Sequence, residues 1–318
     1  TEVGLGGGYL PCCHKCSNFR GYSLIEEELI VFLKQHIDID ISNLNRRDIL
    51  PSRLELDIYL PDFNIAIEVN GVYWHSESMG KYRDYHLHKT IKCNEKNLEL
   101  IHIFDFEWLK KKEIIKSMLL NKLGKTPNRI YARKCEIREI SETHIVKEFL
   151  ISNHIQGYTH ASVNLGLYYN NELVACMTFG KNRFKKQSNE WEMVRFCNKL
   201  NTNIIGGASR LFKYFNKNLN SNKLNIISFS DRRFFNGGLY KQLGFDFDKF
   251  TKPSYFYWKN ERVYNRMSYQ KHKLHKLLEI FDNNKTEYQN MLDNKFIRIW
   301  DCGNSKWTYN QNKKGSIS

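Results

Sequence analysis

Apolar residues recur with two different periods along this chain, and each change of period marks a new element. In "YSLIEEELIVFLKQHI" they fall at Leu24, Ile25, Leu29, Phe32 and Leu33, one stripe of a helix, and Ser23 with Glu26 has capping-box spacing at its start. The next segment alternates. "ELDIYLPDFNIAIEVN", Glu55 to Asn70, predicts a β-hairpin turning at Asp62-Phe63. Counting outward from that turn sets Asp57 opposite Glu68 and Glu55 opposite Asn70. One face then carries Glu55, Asp57, Tyr59, Ala66, Glu68 and Asn70, while Leu56, Ile58, Leu60, Ile65, Ile67 and Val69 make the other. "KYRDYHLHKTIKCNEKN" predicts a helix, "LELIHIF" a buried strand, and "EWLKKKEIIKSMLLNKLG" a basic helix closing at Gly124.

After a linker at "KTPNR" the pattern restarts with "RIYARKCEIREI". A helix follows over "SETHIVKEFLISNH", then paired strands in "VNLGLYYNNELVACMTFGK" that turn at Asn170-Asn171, and a strand at "EWEMVRFC". "IIGGASRLFKYFNKNL" reads as a glycine turn leading into a helix, and "LNIISFSDRR" as a strand. From Lys271 on, a basic helix and a short Trp-containing tail are expected. The chain of 318 residues is long enough for two cores. The division expected is a first domain over 23–124, a second over 130–270, a terminal helix and tail over 271–318, and a separate segment over 1–22.

Charge narrows the partner class. A formal net charge of +15, with 14% aromatic residues, suits phosphate neutralisation combined with base stacking, so nucleic acid leads. No run of about 18 apolar residues occurs, and no secretory h-region opens the chain, so no membrane association is expected. Of eight cysteines, Cys93, Cys135, Cys176, Cys197 and Cys302 are scattered singly, as suits reduced thiols in a cytoplasm. Cys12, Cys13 and Cys16 crowd with His14 in "PCCHKC". Cys13 and Cys16 have C-x-x-C spacing, but a structural Zn²⁺ needs four ligands and no second pair follows. The chain opens without a methionine, which leaves room for residues upstream that would complete such a site.

The hairpin's polar face is the strongest candidate for chemistry. Directly paired side chains stand about 5 Å apart, so facing carboxylates at Asp57 and Glu68 repel unless something positive lies between them. A solvated polar face is the plainer reading, but the apolar surroundings of Glu68 argue for a core, where unpaired charge is expensive. A divalent cation such as Mg²⁺ would relieve the repulsion and activate a water. His75 follows at the strand's exit, and His86 and Lys89 share one face of the next helix.

"SLIEEEL … ELDIYLPDFNIAIEVNGVYWH … YHLHKTIKC … LELIHIFDFEW" resembles the PD-(D/E)XK nuclease fold, in the branch similar to very-short-patch repair endonucleases and phage homing endonucleases. The match covers roughly residues 17 to 120. It implies an α/β fold with a mixed sheet flanked by helices, Asp57 and Glu68 as metal-binding acids, and Glu26 as an acid from the first helix. It further implies His75 as a catalytic histidine, with His86 and Lys89 in support. Asn70 stands where that motif usually has lysine.

The second half has its own resemblance. "NIIGGASRLFKYF" with "ISFSDRRFFNGGLYKQLGFDF" is similar to the GNAT acyltransferase fold, especially its Mom-like DNA-modifying branch, over roughly residues 130 to 260. It implies an α+β domain whose turn at Gly206 and Gly207 holds the pyrophosphate of acetyl-CoA, although Asn203 replaces the usual Gln or Arg. The alternative is a scaffold kept for DNA binding. Arg183, Lys185, Lys186, Arg195, Arg210, Arg232 and Arg233 would then contact phosphates, with Tyr255 and Tyr257 of "PSYFYW" as an aromatic platform. Asp231 is read as an ion-pair partner of Arg232 or Arg233. Together these features predict a Mg²⁺-dependent, site-specific, homing-like endonuclease. It would act on double-stranded DNA as a monomer or weak dimer, in the host cytoplasm if phage-encoded. A DNA-base acyltransferase with a vestigial nuclease, or a non-catalytic DNA-binding protein, are the alternatives.

Overall fold

The computed structural model describes residues 23–181, 190–220, 222 and 224–310. Helix α1, Leu24–Lys34, begins where Ser23 caps it: the Ser23 hydroxyl accepts from the Glu26 amide at 3.2 Å. Its buried stripe is Ile25, Leu29, Ile30 and Leu33, while Leu24, expected in that stripe, is exposed. Strands β1 (Leu44–Arg46), β2 (Leu56–Leu60), β3 (Ile65–Asn70) and β4 (Glu99–Phe104) form one sheet in that order. The first three are antiparallel, with Ile58 opposite Ile67 and Leu60 opposite Ile65. The turn between β2 and β3 is longer than two residues. Pro61–Phe63 make a 3-10 turn and Asn64 closes it at φ 52°, which preserves the expected pairing.

Strand β4 runs parallel to β3, so the chain must cross over, and helix α2 (Tyr85–Asn94) supplies the crossover. Helix α3 (Asp105–Lys122) follows, with a break in helical geometry at Lys111. The chain divides into two compact units within this helix: one comprises residues 1–109 and 252–303, the other 110–251 and 304–318.

The second unit continues with β5 (Asn128–Tyr131), β6 (Glu136–Glu139), α4 (Thr143–Asn153), β7 (Val163–Tyr169) and β8 (Glu172–Lys181). Next come β9 (Trp191–Asn198), β10 (Thr202–Ile205), α5 (Gly207–Tyr214), β11 (Ile226–Asp231), α6 (Gly238–Leu243) and β12 (Asp246–Phe250). Asn170 and Asn171 both have positive φ, the conformation a two-residue hairpin turn requires between β7 and β8.

Residues 252–303 return to the first unit as β13 (Tyr255–Lys259), β14 (Arg262–Asn265), α7 (Lys271–Leu274), α8 (Glu287–Asp293) and β15 (Ile297–Trp300). They form a three-stranded sheet with β13 in the middle. Its Phe256 packs against Phe104 and Phe106, with ring centroids 5.4 and 5.3 Å away. The boundary expected at residues 270/271 is therefore corrected: Lys271 opens only a four-residue helix inside this lobe, not a long terminal one.

Strand β16 (Asn304–Tyr309) then closes the second unit by entering between β11 and β12. The seven-stranded order is β12-β16-β11-β9-β8-β7-β6, while β5 and β10 pair separately and in parallel. Leu165, Leu167, Met177, Phe179, Leu211, Phe212, Phe215 and Trp307 fill the core of this unit.

Candidate functional site

In the first unit, carboxyl, imidazole and ammonium groups gather around β2, β3, β4, α1 and α2. The hairpin register continues to Asp57 and Glu68 through their side chains: the Asp57 carboxylate accepts from the Val69 amide at 2.8 Å, and the Asp57 amide donates to Glu68 Oε1 at 3.4 Å. All six residues of β3 are buried, so its polar side is no solvated surface. Lys89, on α2, places Nζ 2.5 Å from Glu68 Oε2, in a pair whose side chains are only 11% and 3% exposed.

Electrostatics follow from burial. It pushes Glu68 up, helped by the charge of Asp57 and opposed by Lys89. Glu26 is raised to about 7 by burial and then by Asp57, and Asp57 itself is raised by burial. Burial pulls Lys89 down, but the carboxylate of Glu68 more than offsets it, so the ammonium form is held. His75 Nδ1 lies 3.2 Å from His86 Nε2, and burial followed by the charges of Lys89 and Lys81 lowers His75 to about 4. His75 is therefore held neutral, and one of the two facing nitrogens carries the proton that bridges the rings.

His102 belongs to the same cluster and was missed from the sequence. It is the β4 partner of Glu68, sits 3.3 Å from Asn70 Nδ2 through Nδ1, and meets the Thr90 hydroxyl at 2.9 Å through Nε2. Asn70 Oδ1 is buried with no hydrogen-bond partner among the described residues. The segment carrying His75 is latched by Glu77, whose carboxylate accepts from Arg298 Nε at 2.6 Å, Arg298 Nη2 at 2.7 Å and Trp300 Nε1 at 2.7 Å. Glu55 bonds Arg47, and its charge also raises Glu26 and Asp57. Among the described residues there is no group of three His, Cys, Asp or Glu side chains that could hold a metal ion. The positive group against the acid pair is the Lys89 ammonium.

The second unit offers a different arrangement. Parallel strands β9 and β11 pair only at their beginnings, Trp191 with Ile226 and Glu192 with Ile227. Beyond that the ladder stops: Ser228 donates its hydroxyl to the Met193 carbonyl at 2.7 Å, and the Tyr240 hydroxyl lies 3.1 Å from Ser228 Oγ and donates to the Phe229 carbonyl at 3.2 Å. Strands that part leave backbone donors and acceptors on facing edges for an extended ligand. Burial keeps the Tyr240 hydroxyl protonated by raising its pKa.

Downstream of β9, Gly206 adopts φ 78° and starts α5. A surface cavity of about 390 Å³ lies there, lined by Tyr131, Ala132, Arg133, Ile205, Gly206 and Arg210. Arg210 also donates to the Ala132 carbonyl. Two guanidinium groups beside a helix N-terminus suit an anionic phosphate group. Gly207 serves packing instead, since a Cβ there would meet Ile204 Cγ2 at 2.9 Å. Asn203 lies in the β10 ladder opposite Arg129.

Several side chains expected at DNA are engaged within the fold. Arg233 is buried and fixed on Asp231 at 2.9 Å, and Arg195 is spent on the Gly157 and Val194 carbonyls. Tyr257 is fully buried, and its hydroxyl, like that of Tyr255, donates to Glu287. Arg232 lies over the Phe250 ring. Cys12, Cys13, Cys16, Arg183, Lys185 and Lys186 lie outside the described residues. No helix among those described is long and apolar enough to cross a membrane.

No family model and no curated protein matches the chain. Part of it is similar to a Bacillus subtilis acetyltransferase solved in complex with CoA, at 14% identity and TM-score 0.32, over 56% of this chain and 99% of that one. It is also similar to a GNAT family acetyltransferase from Elizabethkingia anophelis with acetyl-CoA bound, at 13% identity and TM-score 0.31, over 56% and 98%. The Mg²⁺-dependent endonuclease expected from the sequence is corrected: the similar solved structures are acetyltransferases with CoA or acetyl-CoA bound.

Proposed function

We propose that this chain is an acyltransferase that takes its acyl group from a CoA thioester and passes it to an amino group of a nucleic-acid base. One observation carries the reading: β9 and β11 run parallel and part after two residue pairs. An amide-bearing arm laid between the parted strands meets backbone edges that no longer pair with each other. The cavity at α5, with Arg133 and Arg210, then offers a place for the diphosphate at the other end of such a donor. Tyr240 lies at the opening, and a departing thiolate needs a proton. A hydroxyl whose pKa burial has raised keeps that proton until the thiolate forms. The net charge of +15 favours a polyanionic acceptor.

The test is transfer of radiolabelled acetyl from acetyl-CoA to oligonucleotides of the four bases, read with release of free thiol. The parent chain transfers label to oligonucleotides bearing exocyclic amino groups, and Tyr240→Phe lowers the rate about 10- to 100-fold while leaving acetyl-CoA affinity unchanged. Equal rates in parent and variant would remove Tyr240 from the mechanism. Label that enters no oligonucleotide would overturn the choice of acceptor.

A further inference from the structure

The edge of the seven-stranded sheet carries an exposed aromatic patch, in which Phe247 also meets the core residue Trp307 with ring centroids 5.6 Å apart. Every residue of β12 is exposed, and Phe247 and Phe250 remain 46% and 58% accessible. Strict alternation sends residues three apart to opposite faces of a strand. The pairing of β12 with β16 slips between Phe247 and Lys249, and this bulge brings both rings to one side, with centroids 4.7 Å apart. Arg232, the residue after β11, lays its guanidinium 4.1 Å over Phe250. Nearby in sequence, Phe235 is also exposed, with the Lys122 ammonium 5.5 Å from its ring centroid.

Half-exposed rings topped by cations on a chain of net charge +15 fit an aromatic, anionic partner. A duplex hides the faces of its bases, whereas an unpaired base offers a π-face to stack and a phosphate beside it. We propose that Phe247, Phe250 and Arg232 form a platform on which an unpaired base of single-stranded nucleic acid stacks, with the guanidinium bonding the adjoining phosphate. The proposal rests on the acyl-transfer reading and supplies its acceptor grip, because Arg232 stands at the end of β11 that has parted from β9.

The test is fluorescence anisotropy of a labelled single-stranded oligonucleotide against an abasic strand of equal length, using the whole chain without acetyl-CoA. Phe250→Ala weakens binding to the base-bearing strand about tenfold, leaves the abasic strand unchanged, and Phe250→Trp restores the parent affinity. Arg232→Ala weakens both strands and lowers the slope of log affinity against log salt by about 0.7. Three results would overturn the platform: Phe250→Ala binding like the parent, equal losses on both strands, or β12 serving self-association instead. The last would be seen in sedimentation as a dimer that Phe250→Ala dissociates with no change in oligonucleotide affinity. Because donor binding is measured separately, a failed platform leaves the acyl-donor reading standing, and a failed donor titration leaves the platform standing.

Discussion

Replacing Lys89 with methionine removes the ammonium held against a carboxylate that is almost out of water. Burial, with Asp57 nearby, pushes Glu68 towards its protonated form, and the Lys89 ammonium opposes that shift. Removing one partner of a buried ion pair typically costs about 3–5 kcal/mol. We therefore expect Lys89→Met to lose about 3 kcal/mol or more at pH 8, measured as a lower urea midpoint at unchanged slope.

The pH dependence carries the sharper information. In the variant the folded-state pKa of Glu68 lies above its unfolded value, so the native state binds the extra proton and stability falls as pH rises from about 5 to 8. The loss should shrink by more than half at pH 5, and adding Glu68→Gln should recover most of it at pH 8. A Lys89→Met midpoint equal to the parent at pH 8, or a loss that is the same at both pH values, refutes Lys89 as the counter-charge of this cluster.

Other perturbations follow from burial and close packing. His75 and His154 are lowered by burial to about 4 and about 3, so below 6.5 the unfolded chain binds protons that the native chain refuses. Stability should therefore rise with pH between about 4 and 6.5, by about 3 kcal/mol for His75 alone, and His154→Asn should flatten part of that slope in urea titrations. A Cβ at Gly237 would stand 1.9 Å from Trp307 Cζ2 on a backbone at φ 84°, so Gly237→Ala should cost about 2–4 kcal/mol and alter tryptophan fluorescence. A variant with parent stability would mean that α6 and β16 shift apart at little cost.

What the sequence revealed depended on how local each feature was. The alternation around Asp57 and Glu68 was enough to set their pairing, because an antiparallel hairpin fixes register through its own turn, and Asn64 merely lengthened that turn. His102 was hidden because its place opposite Glu68 depends on a parallel pairing, whose register is set by a crossover helix and not by a turn. Lys89 was recognised as part of the cluster, but its role as counter-ion could not be read from spacing: a metal and an ammonium relieve the same repulsion.

Long-range order was the least visible. Residues 252–303 read as a continuation of the second half, yet Phe256, Arg298 and Trp300 belong to the first unit, bonded or packed to residues about 150 to 220 positions earlier. Strand β16 enters the sheet from the end of the chain, and nothing local to "NSKWTY" announces a place between β11 and β12. At Arg233 the expected ion pair with Asp231 is present, but it is buried, which takes the guanidinium away from the phosphate contact also expected of it.

On the proposed reading, the second unit binds a CoA thioester through the cavity at α5 and the parting of β9 and β11. Isothermal titration of acetyl-CoA into the whole chain tests it most directly. Saturable one-to-one binding is expected, weakened about tenfold or more by Arg210→Ala, with pantetheine, which lacks phosphate, binding far more weakly than acetyl-CoA and insensitive to that substitution. No heat of binding at millimolar acetyl-CoA, or an affinity that Arg210→Ala leaves untouched, would contradict it.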